Sequence, residues 1–407
     1  MKKILSVLVA VLLQTSVVMA CTSIIVAGKA TADGRPVMFK NRDTDCLDNR
    51  VERYQGKKYA FIGLVNATCK KGEVWTGVNE AGFCIMNTAS YNIKNDKVSY
   101  DKMDKEGVLM YEALGVCATV EDFRQFLRNH KKPLLVEANF GVIDARGGAS
   151  YFETNNYEWW EYDVNQEPAG YRVVTNFSFA GREAERQGVE RYFTATSIMR
   201  DYDAFHAMGE YELKHDFFIN HFSRSYRHSL LGTPDDYCPK SGVTVDQDFI
   251  PRRITSAAIA IEGVRPNENP AHTVMWTSLG YPATSPMIPL MVGAADILPD
   301  YVKDRGNGHS QISDYSNDIK YTHVFPNNES NGKRYLYIGA VQHGTEGRAS
   351  LKQCAYDAEK GINKMFYSIY NQWIEGMMQD DAFYKEYVKQ LPDYWKEYVT
   401  AFGGYKL

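Results

Sequence analysis

The pattern of apolar and polar positions changes abruptly at Cys21. Ahead of it, Met1-Lys2-Lys3 is a short basic start and Ile4 to Leu13 is almost wholly apolar. Polar Gln14, Thr15 and Ser16 follow, and Val18-Met19-Ala20 sets a medium and a small residue three and one places before the cysteine. That order predicts a secretory signal peptide over 1–20, cleaved after Ala20, and hence export to the periplasm or the extracellular space. The apolar run is too short for a membrane-spanning helix, which takes about 20 apolar residues.

Behind Cys21 the pattern predicts strands. Residues 22–28 are rich in β-branched side chains, Asp33-Gly34 supplies a turn, and 36–41 reads as the returning strand. Further strand patterns fall at 58–65, 73–78, 83–88, 140–145, 150–154 and 171–175. Helical patterns fall at 106–116, 119–130, 183–198 and 350–378, and Thr119 to Asp122 fits a capping box. Runs of strands beside runs of helices predict an α+β fold. The tail Asp380–Leu407, aromatic and charged, reads as a terminal helical pair docked on a single domain over 21–407.

Composition narrows the function. With 44% hydrophobic and 24% charged residues in 407, the chain has the balance of a globular protein. A net charge of −4 offers nothing to nucleic acid or to an anionic membrane. No second apolar run is long enough to span a bilayer. Self-association stays open. The seven cysteines include no CxxC pair, so a zinc site is unsupported. Export permits disulfides, and the six cysteines other than Cys21 allow up to three bridges. Cys84 and Cys117 stand in apolar surroundings and read as core. There is no His-Glu-x-x-His and no Gly-x-Ser-x-Gly, so neither a catalytic metal, nor any other cofactor, nor a serine nucleophile is predicted.

A cysteine at the first position of a mature chain has two uses. It anchors a lipoprotein, or it is a nucleophile whose own freed α-amine, with a pKa near 7.7–8.0, takes the thiol proton. A lipid anchor is normally followed by a flexible tether. Here a strand starts at once, and the hairpin turning at Asp33-Gly34 holds Cys21 rigidly. Rigid placement serves a nucleophile. The same hairpin returns Lys40, Asn41, Arg42 and Asp43 to the cysteine, where a cation favours thiolate and Asp43 is in position to orient the amine.

The start CTSIIVAGKATADGRPVMFKNRD resembles the mature N-terminus of the N-terminal-nucleophile cysteine amidohydrolases, the choloylglycine hydrolase, penicillin V acylase and isopenicillin N acyltransferase-like families. Three later stretches fit in order: Thr76–Asn87 with its Gly-x-Asn-x-x-Gly pattern, Val173–Asn176, and Phe249–Ala258. The resemblance implies a four-layer αββα sandwich of two antiparallel sheets between helical layers. It gives Cys21 as nucleophile, Asp43 as the orienting carboxylate, Asn87 as oxyanion donor, Asn176 lining the site, and Arg253, with Arg252 in reserve, opening a helix. Lys40 stands where bile salt hydrolases often carry arginine, and Lys40 and Arg42 are the expected substrate-binding cations. The implied partner is a small-molecule linear amide. Bile salts, penicillins, N-acyl amino acids and small peptides all stay open, as do an acyltransferase, a dipeptidase and a surface lipoprotein lipidated on Cys21.

Overall fold

The computed structural model describes residues 20–69, 72–206, 208, 211–294, 298–345 and 347–405. Apart from Ala20, the expected signal segment lies outside the described residues.

Thr22–Val26 forms β1 and Val37–Asp43 forms β2, paired antiparallel with Thr22 opposite Asn41 and Val26 opposite Val37. Every residue of both strands is buried, because both faces of this sheet are covered. The chain next builds a seven-stranded antiparallel sheet in simple sequence order: β3 (Asn49–Gln55), β4 (Ala60–Asn66), β5 (Thr76–Asn79), β6 (Cys84–Ala89), β7 (Ala138–Ile143), β8 (Ala149–Thr154) and β9 (Trp159–Asp163). It then returns to complete the first sheet. β10 (Tyr171–Val174) pairs with β1, and β12 (Thr255–Glu262), β13 (Val274–Leu279) and β14 (Ile288–Leu290) extend beyond β2, in the order β10-β1-β2-β12-β13-β14. β11 (Thr244–Val245) and β15 (Tyr335–Leu336) make a separate short ribbon.

The two sheets stack face to face. Ser23 on β1 hydrogen-bonds Tyr151 on β8 across the gap at 2.9 Å. Gly141 on β7 lets the sheets approach: a Cβ there would stand 2.9 Å from Met86 Cε and 3.1 Å from Ile25 Cδ1. Helices α1 (Glu106–Leu114) and α2 (Val120–Asn129) cover the outer face of the seven-stranded sheet, with Phe123 packed on Phe83, Phe140 and Phe152. The other outer face carries α3 (Val189–His206), α4 (His215–Phe218), α5 (Gln311–Ile319) and α7 (Leu351–Ile374). α6 (Ile338–Gln342) packs on α7, and α8 (Asp380–Ala401) runs alongside α7. The result is helix, sheet, sheet, helix: an α+β sandwich of four layers, as the resemblance implies.

Several elements differ from the sequence reading. The stretch 249–258 does not open a helix; it leads into β12, buried along its whole length. Its small and apolar residues show no alternation, and such a run cannot be told from a buried helix by period alone. β3, β9, β13 and β14 are additional strands. The tail after residue 379 holds one long helix, α8, whose partner is α7. The capping box forms: Thr119 Oγ1 accepts from Asp122 N–H at 3.0 Å and Asp122 Oδ2 accepts from Thr119 N–H at 3.1 Å. All seven cysteines are free, with Cys84 and Cys117 buried in the core.

Candidate active site

The β1–β2 register brings residue 43 back to residue 21. Cys21 is 7% exposed, and its Sγ lies 3.9 Å from the backbone carbonyl oxygen of Asp43. Both carboxylate oxygens of Asp43 are engaged. Oδ1 accepts from Thr255 Oγ1 at 2.6 Å and from Asn41 Nδ2 at 2.9 Å; Oδ2 accepts from Arg252 Nη2 at 2.8 Å and Nε at 3.0 Å. Arg252 Nη2 also donates to the carbonyl of Ala20 at 3.2 Å. The Ala20–Cys21 peptide therefore lies against the Asp43–Arg252 pair. A bulge in β12 contributes: Thr255 opposes Asp43 while Ala257 opposes Arg42, leaving Ser256 as the extra residue. Bulges re-aim side chains beside active sites, and here Ser256 Oγ accepts from Arg42 Nη1 at 3.1 Å.

Lys40 and Asn87 form a second unit across the sheets. Lys40 Nζ donates to Asn87 Oδ1 at 2.7 Å and to the carbonyl of Trp75 at 2.9 Å. An ammonium only donates, so the amide atom it meets is the oxygen. Asn87 Nδ2 is thereby turned away from Lys40, and it has no hydrogen-bond partner among the described residues. Burial lowers the Lys40 ammonium to about 8, with the charge of Cys21 acting in the opposite direction.

A third group closes around Cys21 from α3. Arg191 Nη1 donates to the carbonyl of Cys21 at 2.6 Å and to Thr22 Oγ1 at 3.0 Å; its Nη2 donates to Asn176 Oδ1 at 2.8 Å. Asn176 Nδ2 in turn donates to the carbonyl of Ala89 at 2.8 Å. Burial, with Arg252 adding to it, lowers the Arg191 guanidinium to about 10. The sequence reading missed Arg191, although a signal was present. Arg191, Ala195, Ile198 and Tyr202 form one helical stripe, and all four are buried.

Other expected residues fall elsewhere. Arg253 is not on Asp43. Its Nη1 donates to the carbonyl of Asn327 at 3.3 Å and its guanidinium lies over Tyr321 and Phe325. Arg252 takes the place expected of Arg253, because the turn before β12 aims the two adjacent side chains apart. Arg42 donates to Ser256 and to Asn66 and stands 5.2 Å from the Trp75 ring centroid. Neither Lys40 nor Arg42 lines the cavity described next; both brace residues that do. Asn79 is structural: its amide caps the carbonyls of Leu114 and Cys117, and its oxygen holds the N–H groups of Ala81 and Phe83 in a turn that needs φ of +75° at Gly82.

A cavity of about 150 Å³ opens beside Asn87, walled by Trp75, Tyr91, Tyr100 and Met103 and lined also by Asp104, Glu106 and Glu137. Tyr91 links it to Cys21: burial raises its hydroxyl pKa, and the charges of Cys21, Glu106 and Asp104 push the same way. A larger cavity, about 1000 Å³, is elsewhere, between Pro239, His323, Tyr337, His343 and Arg348, and contains none of the residues around Cys21. Asp48, His309 and Asp314 bring ligand atoms within 4.8 Å of one another, but His309 Nδ1 is already hydrogen-bonded to Asp314 Oδ1 at 2.9 Å.

Comparison with known proteins bears on this geometry. Residues 30–145 match the family of linear amide C-N hydrolases, choloylglycine hydrolase family. That stretch includes Lys40, Asp43 and Asn87 but not Cys21, Asn176 or Arg252. Similar solved structures include a Caenorhabditis elegans N-acylethanolamine-hydrolyzing acid amidase ortholog, 15% identical over 61% of this chain and 93% of that one, with a TM-score of 0.39. A variant of conjugated bile acid hydrolase from Clostridium perfringens is 12% identical over 64% of this chain and 89% of that one, with a TM-score of 0.38. Penicillin V acylase from Agrobacterium tumefaciens is 14% identical over 67% and 86%, with a TM-score of 0.37. No curated protein sequence matches the chain. The chain thus resembles, through residues 30–145, the linear amide C–N hydrolases of the choloylglycine hydrolase family.

Proposed function

We propose that this protein is an exported hydrolase of linear amides, with Cys21 as nucleophile once residues 1–20 have been removed. The observation that carries the reading is the Ala20–Cys21 peptide lying against Asp43 and Arg252. While that peptide is intact, the Cys21 nitrogen is an amide and takes no proton. Cleavage makes it an α-amine beside the Asp43 carboxylate, and such an amine ordinarily titrates near 7.7–8.0. The amine accepts the thiol proton, and the sulfur attacks the substrate carbonyl carbon. The carbonyl oxygen becomes an oxyanion, and the open Nδ2 of Asn87 donates to it. Collapse breaks the C–N bond while the Cys21 ammonium returns its proton to the leaving amine. Water then attacks the thioester, releasing the acid and the thiol. Arg191 fixes the Cys21 carbonyl throughout. An amine in place of water would make the same site an acyltransferase. Against a lipid anchor on Cys21, β1 starts one residue later and leaves no length for a tether.

The test compares protein beginning at Cys21 with protein that keeps residues 1–20, each N-terminus confirmed by mass. A panel of N-acyl and aminoacyl amides is the substrate. Turnover is expected only from the form beginning at Cys21. Undiminished turnover by Cys21→Ala, or a diacylglyceryl mass on Cys21 from the native host, would end the reading.

A further inference from the structure

The cavity beside Asn87 has two chemically distinct parts to its lining. One part offers a donor without a partner among the described residues: Nδ2 of Asn87, a residue 5% exposed. The other part is carboxyl groups. Glu106 opens α1; its Oε1 accepts from the backbone N–H of Glu137 at 2.9 Å, and its carboxyl shares a hydrogen bond with Asp104. Glu137 Oε1 accepts from the N–H groups of Ile93 and Lys94 at 2.9 and 2.8 Å. No lysine, arginine or histidine is among the described residues that line the cavity.

The carboxyl groups are not equally compensated. Arg182 and Lys94 lie close enough to act on Glu137. The groups that act most on Glu106 are its own burial, the Glu137 N–H and Asp104, and none is a cation. Burial, with Asp104 beside it, pushes the Glu106 carboxyl up to about 8. Glu106 is buried and Asp104 beside it is exposed at the mouth of the cavity; a buried carboxyl group facing a like charge is costly by itself and is relieved by a cation that brings its own hydrogen-bond donors. The cavity's size limits that cation. At about 150 Å³ it is well below the roughly 300–1,000 Å³ of pockets that hold drug-sized ligands.

Resting on the hydrolase reading above, we propose that this cavity takes the acyl side of the substrate and selects a small acyl group bearing a free ammonium. The amides cleaved are then aminoacyl amides and short peptides with a free N-terminus. Asp104 and Glu106 pair with the ammonium, and Asn87 Nδ2 meets the carbonyl oxygen. In an α-aminoacyl group the amine and the carbonyl carbon are separated by a single carbon, so one small cavity serves both.

The experiment uses protein beginning at Cys21 and two substrates that differ only in the ammonium, alanyl-p-nitroanilide and N-acetylalanyl-p-nitroanilide. The free-amine substrate is expected to have the higher kcat/KM by about tenfold or more, the scale of a buried charge pair. In Glu106→Gln that preference is expected to fall by about tenfold or more, carried by KM rather than kcat. Asp104→Asn serves as the second variant should the first fail to fold. Ethylammonium should inhibit the unmodified enzyme where ethanol does not, which decides the matter even without a folded variant. Equal or better cleavage of the acetylated substrate, or folded variants that keep the full preference, would overturn the inference. If the acetylated substrate wins while Cys21→Ala is inactive, only this inference falls. If Cys21→Ala cleaves either substrate normally, the hydrolase reading falls with it.

Discussion

At Asn87 a single hydrogen bond decides an orientation. The Lys40 ammonium pins Oδ1 and leaves the amide N–H groups turned the other way. Lys40, which the sequence suggested as a contact to substrate, spends two of its donors on Asn87 Oδ1 and the Trp75 carbonyl. Asn87→Ala is expected to lower kcat by about a hundredfold or more, the usual scale for an oxyanion donor, with the folded state retained. Steady-state kinetics on one amide check this; an effect confined to KM would assign Asn87 to binding alone. Cys21→Ala should remove activity at little cost in thermal stability, because the side chain lost is small and its thiol makes only a long 3.9 Å approach to a carbonyl. Circular dichroism and an amide assay on the same preparation test both halves.

Among the elements, β1 and α1 carry the pH behaviour. β1 begins one residue after Cys21, so anything attached to the Cys21 nitrogen sits inside the site. The form retaining 1–20 should fold yet be inactive. Turnover of the form beginning at Cys21 should rise as its amine deprotonates, with an apparent pKa at or below about 7.7–8.0. A flat pH profile from about 6 to 9, spanning that range, would refute the amine as base. The first turn of α1 has an effect of opposite sign on stability. The Glu106 carboxyl rises from 4.5 to about 8 in the folded state. A raised acid binds its proton more tightly when folded, so its stabilisation is fully present below pH 4.5 and is lost as pH climbs through about 8. Glu106→Gln should therefore gain stability over the unmodified protein at about pH 8 and gain none at about pH 4. Urea unfolding at the two pH values decides it.

Across the whole molecule, long-range pairs hold the layers in place. Arg224 Nη1 and Nη2 each meet a carboxylate oxygen of Glu359 on α7 at 2.7 Å, and Glu359 Oε1 also accepts from Met287 N–H. Arg224 is wholly buried, so Glu359→Ala strands a charge and should cost about 3–5 kcal/mol. The shift in denaturant midpoint measures it. Tyr387 and Tyr398 donate to the carbonyls of Pro289 and Thr284, docking α8 against the edge of the six-stranded sheet.

The sequence by itself determined the β1–β2 hairpin, and with it the meeting of Cys21 and Asp43. Strand propensity and a turn are local properties, and two residues 22 apart are joined by nothing more than that hairpin. It also determined the α2 cap and the resemblance to amide hydrolases. Tertiary structure decided the rest. Whether Arg252 or Arg253 reaches Asp43 depends on how the turn before a buried strand aims two adjacent, chemically identical side chains. Arg191 reaches the Cys21 carbonyl across a separation of 170 residues, and Thr255 reaches Asp43 across 212. Contacts at that distance follow from which strands neighbour β1 and β2, and strand order is set by packing of the whole core, which no short window of sequence contains.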